Sequence, residues 1–234
     1  MLAACGPARA GEPDIVARLE KAGAKVSRFE LRGEQGLLLT LNGERFTDAN
    51  LAELCELRRL LGLEVGGTTG TDAGMPAVGR LAQLRDLSLD DTDLTDDGVR
   101  QLRGLGGLKG LYLSRTRVTD AGLAELAGLA DPEFLDLNGT AVGNAGLRAV
   151  GRMHRLESLG LRATRVTDAG LGELSGLSAL RVLNLSGAAG VTDAGLESLA
   201  RLRGLRHVYL DGTGVTAEGA ARLRKALPDC DVRR

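Results

Sequence analysis

The octapeptide TRVTDAGL stands at positions 116–123 and again, letter for letter, at 164–171. Identity over eight positions points to internal duplication, and the interval between the two copies divides into two units of 24. Working outward from LRDLSLDDTDLTDDGVRQLRGL, apolar residues fall at Leu84, Leu87, Leu89, Leu94, Val99, Leu102 and Leu105, and the next series opens at Leu108. The second rung of that series recurs as Leu39, Leu63, Leu87, Leu111, Leu135, Leu159, Leu183 and Val208. Every step keeps the same period except the last, from Leu183 to Val208, where SGAAGVTDAGL carries one extra residue. Seven full turns and a shorter eighth are therefore expected over residues 36–227.

Two periodicities alternate inside each unit. Stretches such as GLYLS (110–114) alternate apolar and polar residues and predict a short strand with its leucines on one face. After the Thr-Asp pair, Leu123, Leu126 and Leu129 fall at helical intervals and predict a helix. Thr119 is placed to cap that helix through its hydroxyl, while Asp120 meets the positive end of the helix dipole. Glycine keeps the same period at Gly74, Gly98, Gly122, Gly146, Gly170, Gly195 and Gly219, where a missing Cβ permits close approach of neighbouring coils or special backbone angles. Thr68, Thr92, Thr116, Thr140, Thr164 and Thr213 form a second ladder just after the strands. No single unit can bury its leucines alone, so stacking creates the core and the chain is expected to be a solenoid.

The pattern LxxLxLxxTxVTDxGLxxLxxL resembles a leucine-rich repeat, over roughly four-fifths of the chain. Within that class it is similar to the repeats of F-box proteins, which carry Cys where this chain has the Thr ladder, and to related repeats of bacterial proteins. The resemblance implies an α/β fold: a right-handed horseshoe of about eight repeats with a parallel sheet on the concave side and helices outside. It also implies binding to other proteins. Residues 12–35 read as an N-terminal cap, with Pro13 at a helix start, Ile15, Leu19 and Ala22 on one side, and Val26, Phe29 and Leu31 continuing as a strand or hairpin. Residues 228–234 read as a C-terminal cap, in which Cys230 and Val232 finish the edge.

Composition bounds the alternatives. Glycine, at 34 of 234 residues, is about twice its usual share, and the ladder accounts for much of the excess. With 30 basic against 31 acidic residues, no global field draws the chain toward nucleic acid. No apolar run approaches the ~18 residues of a membrane span. Cys55 and Cys230 lie about seven coils apart, beyond disulfide reach, and no Cys/His group has metal-binding spacing, so neither metal nor cofactor is expected. LAACG (2–6) resembles a bacterial lipobox with Cys5 as the lipidation candidate, and Ala8-Arg9-Ala10 fits a small-x-small cleavage site. Only Met1 to Ala4 precede Cys5, with no basic start and no apolar stretch. Residues 1–11 thus read either as an unstructured terminus or as the remainder of an export signal. Export implies the cell envelope, and its absence the cytoplasm.

Recognition is expected on the concave face, where the non-leucine strand residues point. The candidates there are Asp86, Asp90, Tyr112, Phe134, Asp136, Asn138, Arg162, His207, Tyr209 and Asp211. The face carries three of the chain's five aromatic residues, a type enriched with Arg at interface hot spots. Tyr112, Phe134, Asp136 and Arg162 are expected to form one patch. Glu64, Asp86, Asp90, Asp136 and Asp211 against Arg162 make the face acidic, which disfavours DNA and RNA and leaves a protein or peptide partner for a monomeric chain.

Three other readings compete. Ser186, His207 and Asp211 are the right residues for a hydrolytic triad, but His207 and Asp211 stand ~13 Å apart along one strand, so no catalytic residues are assigned. The row Asp48, Asp72, Asp96, Asp120, Asp168 and Asp193 suggests calcium and an adhesion scaffold, yet helix-end electrostatics accounts for it, and Asn144 and Ala217 break it. The F-box likeness suggests a substrate-recognition subunit of a ubiquitin-ligase-like complex, but the residues ahead of the repeats predict only one short helix and a strand. The arginine-heavy basic set, with few Lys, suits a GC-rich bacterial gene.

Overall fold

The computed structural model describes residues 12–31, 34–42, 51, 54–67, 72–129 and 132–234. Cys5, Asp48 and Thr68 lie outside the described residues. The rest build one ten-stranded sheet in which spatial order equals chain order. Its strands are β1 (Lys25–Leu31), β2 (Glu34–Asn42), β3 (Leu60–Gly66), β4 (Asp86–Ser88), β5 (Gly110–Tyr112), β6 (Phe134–Asp136), β7 (Ser158–Gly160), β8 (Val182–Asn184), β9 (His207–Tyr209) and β10 (Asp231–Arg233). β1 and β2 form an antiparallel hairpin, and every later neighbour pairs parallel.

The register is the repeating leucine rung itself. Leu39, Leu63, Leu87, Leu111, Leu135, Leu159, Leu183 and Val208 pair strand to strand in one row, and none is more than 3% exposed. Side chains alternate across a strand, so a slip of one position would turn these leucines to solvent, and their burial fixes the register. The one longer step does not disturb it, because Leu183 still faces Val208 and the extra residue is taken up in the loop between Ala188 and Val191.

The convex side carries the expected helices, most of them short. Regular α-helix is confined to short pieces such as Asp96–Arg100, Asp120–Glu125 and Asp168–Leu171, with 3₁₀ turns at Gln101–Gly104 and Gly172–Gly176. The reason lies in the leucine spacing: Val99, Leu102, Leu105 and Leu108 recur at every third position, which is the repeat of a 3₁₀ turn. All four are buried to within 1%. Thr119 caps as expected, its Oγ1 accepting the Ala121 amide at 3.2 Å.

The aspartate of each Thr-Asp pair has a role that helix-end electrostatics does not describe. It stands in the first turn of its own helix, and its carboxylate also crosses to the next coil. Asp96 accepts the Thr119 amide at 2.8 Å and the Thr119 hydroxyl at 2.6 Å. Asp72 does the same for Thr95, Asp168 for Thr192 and Asp193 for Thr216. Asn144, expected to break the row, instead holds Thr167 through both amide atoms. The crossing carboxylate lies where a Cβ of the next coil's glycine would stand: a methyl built on Gly146 would lie 2.7 Å from Asp120 Oδ1, and Gly98, Gly122, Gly195 and Gly219 meet Asp72, Asp96, Asp168 and Asp193 in the same way. Close approach, not a special backbone angle, is what these glycines supply.

A second ladder sits at the strand ends. Gly67, Asp91, Arg115, Gly139, Ala163, Gly187 and Gly212 all adopt the left-handed backbone, with φ between 53° and 75°. Asp91, Arg115 and Ala163 carry side chains there, and Asp91 and Arg115 form an ion pair across adjacent coils.

A helix packs against the strand at each end of the sheet. The helix Glu12–Lys21 buries Ile15, Val16 and Leu19, and Glu12 pairs with Arg59 of the first coil. The helix Ala217–Ala226 stops before Pro228, and β10 then adds to β9 with Val232 facing Val208.

Both ladders can be tested by substitution. Gly122→Ala should cost about 1–3 kcal/mol through overpacking, and Asp96→Ala about as much, roughly 1–3 kcal/mol, by leaving the Thr119 amide unsatisfied. In a double-mutant cycle by urea denaturation the pair should cost clearly less than the sum, because the clash requires both groups; strict additivity would show that the carboxylate and the glycine do not meet. Ala163→Gly should stabilise by roughly 0.5–1 kcal/mol, the left-handed penalty of ~1–2 kcal/mol less the chain-entropy cost of glycine. Gly212→Ala should do the reverse, since the nearest atom to its new methyl is 3.6 Å away and no clash confuses the comparison.

Candidate functional site

The concave face is a lattice of two register rows. Leu38, Gly62, Asp86, Gly110, Phe134, Ser158, Val182, His207 and Asp231 form the first; Thr40, Glu64, Ser88, Tyr112, Asp136, Gly160, Asn184, Tyr209 and Arg233 form the second. Glycines inside this lattice make room for their neighbours. A Cβ on Gly110 would meet the Asp86 carboxylate and would lie 3.0 Å from the Tyr112 ring, so both side chains lean over that glycine. Gly160 is overlaid in the same manner by Asp136 and Asn138.

Three hollows result. The first, of about 490 Å³, is bordered by Phe29, Leu38, Glu64, Asp86, Ser88, Asp90 and Tyr112 over a floor that includes Gly62 and Leu63. The second, of about 180 Å³, takes Tyr112, Phe134, Asp136, Asn138, Asn184 and Tyr209. The third, of about 560 Å³, is lined by Arg162, Asn184, Ser186 and Asp211. Phe134 is 40% exposed and is the exposed large hydrophobic residue among the described residues.

The expected four-residue patch is thereby divided. Tyr112, Phe134 and Asp136 do share a hollow, whereas Arg162 lies in the third one with Asp211. Arg162 falls just past the end of β7 at Gly160, where its backbone amide is held by Asn138 Oδ1 at 2.6 Å. Asn138 is thus partly spent on the scaffold. The same holds for Asp90, which accepts the Ser114 amide at 2.6 Å, and for Asp136, which accepts the Asn138 amide at 2.8 Å. Ser186 Oγ and Asp211 Oδ2 approach to 3.5 Å, but His207 stands exposed in the first row, at the opposite end of its strand from Asp211.

Phe29 and Arg233 are among the contributors outside the sequence-derived set. Phe29, on the hairpin strand β1, borders the first hollow opposite Tyr112. Arg233, on β10, covers Tyr209 with its guanidinium carbon 5.5 Å from the ring centroid. The signal for β10 was present, since Val232 falls one full period after Val208.

The titratable side chains lining the first hollow are carboxylates and the Tyr112 phenol. Burial, then the nearby Glu133 charge, pushes the Asp86 carboxyl above the ordinary carboxylate range. Burial also raises Asp90, outweighing the Ser114 amide that opposes it. The Tyr112 phenol is raised by burial and by the charges of Asp86, Asp136 and Asp90. Among the described residues, no three His, Cys, Asp or Glu side chains converge on a point suited to a metal ion. No described helix is long and apolar enough to cross a membrane.

A family profile described as "Leucine Rich repeat" matches residues 177–200. No curated protein matches the chain. Among solved structures, an internalin (inlF) from Listeria monocytogenes superposes with a TM-score of 0.60 at 20% identity, over 78% of this chain and 56% of its own. An internalin C2 (inlC2) from the same organism superposes with a TM-score of 0.57 at 25% identity, over 71% of this chain and 66% of its own. The chain therefore spans less than two thirds of the length of either. The fold is that of a leucine-rich repeat solenoid.

Asp86 allows a check by acidity. Its folded carboxyl holds the proton more tightly than an unfolded one, so ionisation disfavours the fold at neutral pH, and stability returns as pH falls through the raised folded value. Asp86→Asn should therefore raise the Tm at neutral pH, with the gap to the parent closing on acidification below the raised value. A Tm difference independent of pH would show that the gain has another origin.

Proposed function

We propose that this leucine-rich repeat chain is a non-catalytic interaction module that binds a protein or peptide on its concave sheet face. The observation that carries the reading is Phe134, exposed on a strand whose inward neighbour Leu135 is 3% exposed, beside Tyr112 in the same hollow. The leucine core is complete without either aromatic ring, and aromatic side chains are the residue type most enriched at binding hot spots. The eight ~4.8 Å steps from β2 to β10 make a face about 38 Å long, enough for a standard protein interface. Its acid excess, from Glu64, Asp86, Asp90, Asp136 and Asp211, works against a polyanionic partner. A calcium-dependent scaffold draws less support, because Asp72, Asp96, Asp168 and Asp193 each already accept an amide and a hydroxyl of the next coil.

The test separates binding from folding. Against a partner recovered by crosslinking, Tyr112→Ala and Phe134→Ala should each weaken affinity by ~2 kcal/mol or more in calorimetry while leaving the melting transition almost unchanged. Leu111→Ala, adjacent in sequence but 1% exposed, should cost about 2–5 kcal/mol of folding free energy. Full affinity in both aromatic variants moves recognition to the loops or the convex side.

A further inference from the structure

The second register row contains the same local arrangement twice, once completed and once open. At its far end Tyr209 is covered by Arg233, whose Nε donates to Asp231 Oδ2 at 2.7 Å. There the chain supplies a guanidinium to its own ring and carboxylate. At Tyr112 the ring again stands beside carboxylates, with Asp86 leaning over the same glycine. The next strand, however, brings Asp136 where β10 brings Arg233. No Lys, Arg or His is among the described residues lining the hollow.

We propose that the first hollow is a socket for an arginine side chain of a protein or peptide partner. This rests on the concave-face reading above and adds the chemistry of the partner. The aliphatic stem of the arginine lies along Leu38, and Phe29 and Tyr112 flank it. The guanidinium sits among Asp86, Asp90 and Glu64 and against the Tyr112 ring.

Arginine suits the site better than lysine for physical reasons. It is less strongly hydrated, presents its donors as a planar fork to two carboxylates, and stacks on aromatic rings. The hollow, about 490 Å³ over a floor of Gly62 and Leu63, has room for the stem, and Leu38 leans across Gly62 to form its apolar wall. Glu64 is presented by Thr40, whose hydroxyl donates to it at 2.8 Å. Desolvation first, and neighbouring acid charge after it, raises the Asp86, Asp90 and Tyr112 groups, and an incoming cation favours the charged form of the carboxylates against both.

The experiment pans a random displayed-peptide library on the full chain. Each selected peptide is then resynthesised with every arginine replaced in turn by citrulline, its uncharged isostere. Affinities are measured by calorimetry on the full chain and on an Asp86→Asn/Asp90→Asn variant whose folding is verified by thermal melting. Asn at position 90 can still accept the Ser114 amide. The expected result is a shared arginine whose citrulline replacement weakens binding at least tenfold. The acid-neutralised variant should lower the arginine peptide to the citrulline level and leave the citrulline peptide unchanged. Peptides that lack arginine yet lose binding in Phe134→Ala overturn the socket and leave the concave-face reading standing. Binding indifferent to Tyr112→Ala, Phe134→Ala and the acid-neutralised variant removes both.

Discussion

Everything in this structure depends on coils lying close enough for one coil's aspartate to reach the next coil's threonine. The carboxylate accepts an amide and a hydroxyl that the turn would otherwise leave without a protein partner, and it does so in the space that a Cβ of the next coil would fill. The leucine rungs supply the larger free energy through burial, but burial alone is indifferent to small sliding of one coil over another. The hydrogen bonds are directional and set the position. The ion pairs between coils, such as the exposed Asp93 with Arg117 and the half-buried Lys109 with Glu133, add little beside them.

With the spacing fixed in this way, the concave surface becomes a lattice whose contents vary while its geometry does not. Glycine at 62, 110 and 160 makes room for neighbouring side chains to lean across, and Asx residues at 90, 136 and 138 turn inward to hold loop amides. The face therefore mixes groups that serve the scaffold with groups the scaffold does not use. Phe134 and Asp86 are the clearest of the latter, since the solenoid gains nothing from exposing the first or crowding the second.

The repeat length, the strand positions and the inward leucines were all legible in the sequence, because a period-two pattern locked to one repeating frame admits one register. The threonine cap was legible for the same local reason. What the sequence concealed was contact between units. Thr-Asp reads as a helix start on one coil, and nothing in a single unit shows Asp96 reaching Thr119. The left-handed ladder was hidden as well, because Asp91, Arg115 and Ala163 interrupt the glycines that would have announced it. The grouping of the concave residues failed at Arg162, where counting along strands did not register that the strand had already ended at Gly160. Phe29 escaped because the hairpin runs antiparallel and lies outside the frame.

The aspartate spine also bears on how such a chain lengthens. Most of the described joints are shared between two consecutive units, with the acid in one and the threonine and glycine in the other, as Asp96 is shared with Thr119 and Gly122, while Gly143 stands for the threonine after Asp120 and Asn144 for the acid before Thr167. A tandem duplication that keeps the phase of the repeat copies both halves wherever its ends fall, so a new copy arrives already able to dock. One that breaks the phase inside a strand or turn separates acid from acceptor at the new seam. The loop between Ala188 and Val191 shows the exception, a place where an added residue leaves both halves intact. Inheritance and packing thus share the same module, and growth by whole coils needs no new solution to the problem of joining them.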